Sequence, residues 1–295
     1  MARSAPPLAL ALALVLALLL VAACSTGSRS AAQRVALVIG NATYENATPL
    51  ANPGNDASDM CAALKAVGFR TLCHTNVRDR EEFDLRVQEY IAQLDERTVG
   101  VFYYSGHGVQ AGNANYLIPT QVQPRSASED PTRVLYGVHE LFARLRQQAT
   151  GFQLVILDAC RTDLFGQRAG PAGRALPARS ALIRSLDTVA RASNGLQPIL
   201  DAPSDTIVLY ATASRDTAFD GEGRNGPLTQ HILKHIGTRG VFVEEFIKRV
   251  TQGVISDTSK SYGKRQTPFN YGSFSGRFCF AGCPGENTPS VLTGL

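Results

Sequence analysis

The chain has 295 residues, 44% of them hydrophobic and 18% charged, which suits a globular protein with one sizeable core, at most two. Its formal net charge of +4 is spread without any run of Lys or Arg, so nothing in it marks a nucleic-acid-binding protein.

The first thirty residues stand apart. After Arg3, Leu8 to Ala23 form an uncharged apolar run, LALALALVLALLLVAA, followed by Cys24 and the polar STGSRS. Such a run is shorter than the roughly 20 residues a membrane span needs, but it fits the core of an export signal. The VAAC at its end resembles the bacterial lipoprotein processing box. On that resemblance residues 1–23 are removed and Cys24 becomes the acylated first residue, anchoring an exported, periplasmic protein to the bacterial membrane. Ser25, being non-acidic, leans towards the outer membrane. The alternatives are an ordinary signal peptide or an uncleaved anchor.

From Gln33 onwards strands and helices alternate. RVALVIGN (Arg34 to Asn41) is a continuous apolar run, as a strand covered on both faces should be. NPGNDASDMCAALKAVGF predicts a helix capped by Asn55 or Asp56 and stopped by Gly68. RTLCHT is a second strand, and DREEFDLRVQEYIAQLDER an amphipathic helix with acids in its first turn. VGVFYYSG is a third strand and NYLIPT a short extended segment. YGVHELFARLRQQA predicts a third helix, FQLVILDAC a fourth strand and DTIVLYATAS a fifth. GPLTQHILKHI and VFVEEFIKRVTQGVI are later helices, and GSFSGRFCF alternates into a last strand. Residues 161–204 break the pattern: rich in Arg, Ala, Pro and Gly, they read as a long loop. The expected organisation is therefore a signal (1–23), a linker (24–33), an α/β domain (34–280) and a tail (281–295). Helices between apolar strands imply a mostly parallel sheet covered on both faces, whose sites form beyond the carboxyl ends of the strands.

Six cysteines sort themselves once export is assumed. Cys24 is the lipid candidate. Cys61 with Cys73, and Cys279 with Cys283, are close enough in sequence for two local disulfides, although the first pair reads equally as two buried small side chains. That leaves Cys160 as the odd thiol. It stands at the end of LVILDAC, 53 positions after His107, which stands where VGVFYYSG ends. A thiol attacks a carbonyl only as thiolate, and a neighbouring imidazole both takes the proton and returns it to a leaving amine. Glycines at 106 and 108 let the backbone approach a substrate and turn an amide towards a developing oxyanion.

YYSGHG followed by LDACR resembles the caspase–metacaspase clan of cysteine peptidases, in its bacterial caspase-like branch. RVALVIGN, NPGNDASDM, NYLIP and GEGRNGPLT extend the likeness over roughly Arg34 to Phe280. The resemblance implies a caspase-hemoglobinase fold with about six strands, Cys160 as nucleophile, His107 as base and acid, and an oxyanion hole from the N–H groups of Gly108 and Cys160. Asp56 and Asp158 match metacaspase-type acidic positions, with Ser105 beside them. Two carboxylates there suit a guanidinium, so cleavage after Arg, less often Lys, is expected. Asp56 also reads as a helix cap. The 161–204 loop, where related enzymes are often cut during maturation, carries Arg168, Arg174, Arg179, Arg184 and Arg191; it reads either as a solvated, low-complexity linker or as a segment self-cleaved after one of these arginines.

Other features are weaker. His231 and His235 are four apart, but no Glu follows the first as a zinc peptidase needs, and they read as a polar helix face. His74 and His139 show no partner. No phosphate-binding motif appears, no metal or other cofactor is implied, and no acidic loop supports the calcium activation known in some relatives. The expected partners are protein or peptide substrates and a membrane. The rival readings are a peptidase-fold scaffold or adapter, and a metabolite-binding α/β domain.

Overall fold

The computed structural model describes residues 32–45, 47–111, 114–122, 130–148, 151–160, 196, 202–212, 218–219 and 221–285, with Pro131 and Cys160 described by their main chain. Eight strands and five α-helices follow in chain order among these residues, besides a short 3-10 helix at Pro131–Val134: β1 (Arg34–Gly40), α1 (Pro53–Ala66), β2 (Arg70–Thr75), α2 (Arg80–Ile91), β3 (Val99–Ala111), β4 (Ala114–Leu117), β5 (Tyr136–Gly137), α3 (Val138–Gln148), β6 (Gln153–Cys160), β7 (Thr206–Tyr210), α4 (Pro227–Ile236), α5 (Val243–Tyr262) and β8 (Phe269–Ser273). The main sheet runs β2-β1-β3-β6-β7-β8. Only β8 is antiparallel in it, against β7; β4 and β5 form a small antiparallel extension of β3.

The apolar runs of β1, β3 and β6 are buried on both faces, and their side chains divide by alternation. Ala36, Val38, Val101, Tyr103, Leu154 and Ile156 pack with α1, α4 and α5. Val35, Leu37, Phe102, Tyr104, Val155 and Leu157 pack with α2 and α3 on the other face. This is the two-faced covering that unbroken apolar strands require.

Three local expectations need correction. The predicted cap of the first helix is not Asn55 or Asp56: α1 starts at Pro53, whose ring suits a first helical turn, and Asp56 lies inside that turn. α2, by contrast, has an ordinary cap, Asp79 accepting the Glu82 N–H at 2.7 Å. The last strand is Phe269–Ser273 rather than a segment through Phe280. Phe278 and Phe280 are buried as irregular chain against Phe69, and Arg34 holds that chain by donating to the carbonyls of Phe280 and Val67. The alternation read as a strand thus reflects aromatic anchoring without strand pairing. Finally, α5 runs to Tyr262, ending at Gly263 in the left-handed region (φ 63°).

Cys61 is bonded to Cys73, joining α1 to the edge strand β2 with Cα atoms 6.3 Å apart, and Cys279 is bonded to Cys283. Cys61→Ser combined with Cys73→Ser is expected to lower stability by about 3 kcal/mol, the cost of losing a loop closure of this size. A urea midpoint unchanged by the double substitution would show that this crosslink does not stabilise the folded chain.

Candidate active site

The carboxyl ends of β3 and β6 meet in register. Ser105 is the partner of Asp158, Gly106 of Ala159, and His107 of Cys160. His107 is not beyond the end of its strand, as its sequence position suggests, because β3 continues to Ala111. At this point it changes partner instead: up to His107 it pairs with β6, and from Gly108 it pairs with β4. Gly106 marks the change with φ 155°, and a side chain there would meet the hydroxyls of Tyr104 and Tyr44 at 2.7 Å. The glycine is required by both its backbone angle and this crowding. Gly108 is half-buried opposite Leu117.

His107 is 2% exposed. Its backbone N–H donates to Tyr44 Oη at 2.8 Å, and the Tyr44 ring lies against the imidazole with centroids 4.5 Å apart. Tyr104 Oη donates to the His107 carbonyl at 2.8 Å. The ring itself is oriented by a backbone group: Nε2 lies 2.7 Å from the Thr48 carbonyl oxygen. A carbonyl only accepts, so Nε2 carries the proton and Nδ1 the lone pair. Nδ1 is buried and has no hydrogen-bond partner among the described residues. Burial pushes the imidazole pKa down to about 4, against the smaller opposing effect of the Thr48 carbonyl. At neutral pH this is a neutral base with a fixed tautomer. Neither Tyr44 nor Thr48 is a candidate from the sequence: a backbone carbonyl leaves no signal in residue identity.

On the α1–α4 side of the same rim lie the carboxylates. Asp56 is 2% exposed and Asp158 7%. Ser105 Oγ donates to Asp56 Oδ2 at 3.0 Å, while Oδ1 accepts from the Gly226 N–H at 3.0 Å and from Asn225 Nδ2 at 3.2 Å. Asp56 therefore caps a helix, but α4 and not its own. Asp158 Oδ2 accepts from Thr229 Oγ1 at 2.8 Å. Asp59, one turn along α1, receives both Nε and Nη2 of Arg224, at 2.8 and 2.9 Å. The Arg224 hydrogen bond is the main reason its pKa lies below the usual carboxylate value. Asn225, Gly226 and Thr229 all fall in GEGRNGPLT, but their spacing alone does not reveal what they hold.

The remaining histidines lie elsewhere. His231 is not on a polar face: it is 3% exposed, donating from Nε2 to Asp257 Oδ2 at 2.8 Å between α4 and α5. His235 and His74 are partly exposed, and His139 is exposed beside the Tyr116 ring. Among the described residues no group of three or more His, Cys, Asp or Glu is arranged to hold a metal ion. Cys24, the 161–195 segment with its five candidate arginines, and the Cys160 side chain lie outside the described residues.

The buried imidazole has a consequence for acid stability. In the unfolded chain it takes up a proton near pH 6.5, but in the folded protein only near pH 4. Its contribution is therefore complete above pH 6.5 and is lost as pH falls towards 4, by about 3 kcal/mol at 1.36 kcal/mol per unit. The thermal unfolding midpoint should fall more steeply as pH drops over this window in the wild type than in His107→Asn. Equal slopes in the two proteins would contradict the burial described here.

Comparison with known proteins follows this geometry. A family model for the caspase domain, peptidase C14, matches residues 33–278. The human mucosa-associated lymphoid tissue lymphoma translocation protein 1 is 27% identical over 139 residues, covering 46% of this chain and 16% of that protein. Its mouse homolog is 27% identical over 138 residues with the same coverage, so the chain spans about a sixth of either relative. Caspase-1 from Spodoptera frugiperda superposes with a TM-score of 0.59 at 12% identity, covering 87% of this chain and 93% of that one, a likeness of fold. With most of its length matched and a sheet of the same kind, the chain belongs to the caspase domain family of peptidases.

Proposed function

We propose that this protein is a cysteine endopeptidase that cleaves after Arg, less often after Lys, with Cys160 as nucleophile and His107 as general base and acid. The observation that carries the reading is the fixed imidazole. Thr48 holds the proton on Nε2, which leaves the Nδ1 lone pair free to take a proton, in register with the Cys160 backbone. In this reading Nδ1 takes the thiol proton and the thiolate adds to the scissile carbonyl. The oxyanion is received by the N–H groups of Gly108 and Cys160. The C–N bond then breaks, His107 protonates the leaving amine, and water hydrolyses the thioester with His107 again as base.

The preference for a cationic residue is supported by Asp158 and Asp56, both buried on the strand and helix beside Ser105. A guanidinium entering between two desolvated carboxylates gains charge-assisted, bidentate bonds. We further propose self-cleavage in the 161–204 loop after one of Arg168, Arg174, Arg179, Arg184 or Arg191. For the location, we propose export and lipid attachment at Cys24, with the outer membrane as the anchoring site. The apolar run Leu8–Ala23 and the VAAC box support this.

The catalytic reading is tested with three fluorogenic peptides that differ only in Arg, Lys or Asp before the bond. The expected order is Arg above Lys, with Asp barely turned over. Cys160→Ala and His107→Ala should each lose at least about a thousandfold in kcat/KM, and Cys160→Ala should remain full-length. Equal or better turnover of the Asp peptide would overturn the acidic pocket. No turnover of any peptide by folded, reduced protein would favour the scaffold reading. The anchor is tested separately: Cys24→Ser should move the protein from the membrane fraction to the soluble fraction, and an unchanged distribution would rule out lipidation at this residue.

A further inference from the structure

We propose that Thr229 is a specificity-determining positioning residue, fixing the carboxylate of Asp158 so that the pocket presents it to a cationic side chain. This rests on the reading of Asp158 as part of the substrate pocket and deepens it. The argument begins with a single hydroxyl proton. Thr229 Oγ1 donates to Asp158 Oδ2 at 2.8 Å and lies 2.5 Å from Tyr103 Oη. A carboxylate cannot donate, so the threonine proton is committed to Asp158, and Tyr103 must donate to the threonine. Tyr103 suits that role: burial, with Asp56 and Asp158 nearby, raises its phenol well above the usual value and keeps the proton on it. The order of donation is therefore Tyr103 to Thr229 to Asp158. All three are buried, with Tyr103 and Thr229 fully so.

The fold explains why a residue of α4 does this. The start of α4 reaches both acids: Gly226, the residue that precedes the helix, donates its N–H to Asp56, and three residues later Thr229 donates its hydroxyl to Asp158. One helical turn thus sets the positions of a carboxylate from α1 and a carboxylate from β6. Tyr103, on β3, supports that turn from beneath the sheet face. Valine has the shape of threonine without its hydroxyl, so Thr229→Val removes the donor to Asp158 and strands the Tyr103 phenol. Thr229→Ser keeps the hydroxyl.

The test measures binding of a tripeptide ending in arginine, and of its aspartate-ended counterpart, to Cys160→Ala protein carrying Thr229, Thr229→Val or Thr229→Ser. Turnover of the arginine reporter is measured in parallel on proteins that retain Cys160. Thr229→Val is expected to weaken arginine-peptide binding and raise KM by about ten- to a hundredfold, the effect of losing a hydrogen bond to a charged group. Its kcat should change far less, its aspartate-peptide binding should not weaken, and Thr229→Ser should recover most of the loss. If Thr229→Val does not fold, Tyr103→Phe is measured instead and should shift KM in the same direction by a smaller factor. Arginine preference in the parent with no change in Thr229→Val, or with Thr229→Ser as impaired as Thr229→Val, would overturn the role of Thr229 alone. A parent that does not prefer the arginine peptide would overturn the pocket reading, and this inference with it.

Discussion

The parallel pairing of β3 with β6 is the constraint from which the rest of the site follows. Because strand side chains alternate faces, a slip of one residue would turn every core side chain of one strand to the wrong side. The start of the pairing is fixed sterically. Gly100 lies opposite Gln153, and any side chain at 100 would collide with Gln153 and Tyr90, which are themselves hydrogen-bonded at 2.8 Å. The register fixed there carries along the strands to place Ser105 beside Asp158 and His107 beside Cys160. The arrangement of side chains at the carboxyl ends thus depends on packing at the amino ends.

The rim created in this way holds two separate electrostatic environments. Around His107 the contacts are an aromatic ring, a phenol and a backbone carbonyl, and desolvation keeps the imidazole neutral. Around Asp56 and Asp158 the contacts are donors from hydroxyl, amide and backbone N–H groups. The same strand, β3, supplies both sides, with His107 for one and Ser105 for the other, two residues apart.

Much of this was legible in the sequence, and the reasons are local. Continuous apolar runs bounded by glycine or polar turns reported β1, β3 and β6 because a strand buried on both faces has no room for polar side chains. The strand RTLCHT was placed residue for residue, although it lies at a sheet edge. The last strand was misplaced because aromatic residues spaced two apart look the same whether they pair in a ladder or anchor a coil. The His and Cys motifs pointed to one rim because parallel strands end on one side. Tyr44, the Thr48 carbonyl, Thr229 and Tyr103 were hidden for different reasons. Thr48 acts through its main chain, and the others act at positions set by contacts between distant segments. The burial of His231 was hidden too, since helical spacing does not say which side a second helix covers.

Asp56 joins two roles that are usually separate. It belongs to α1 yet accepts the N–H of Gly226, the residue that precedes α4, and so also sits at the amino end of that helix. One carboxylate thus binds the Ser105 hydroxyl of β3 and docks two helices against each other. Removing that carboxylate would loosen the seam between α1 and α4. A replacement at position 56 must still accept the Gly226 N–H if the two helices are to stay docked.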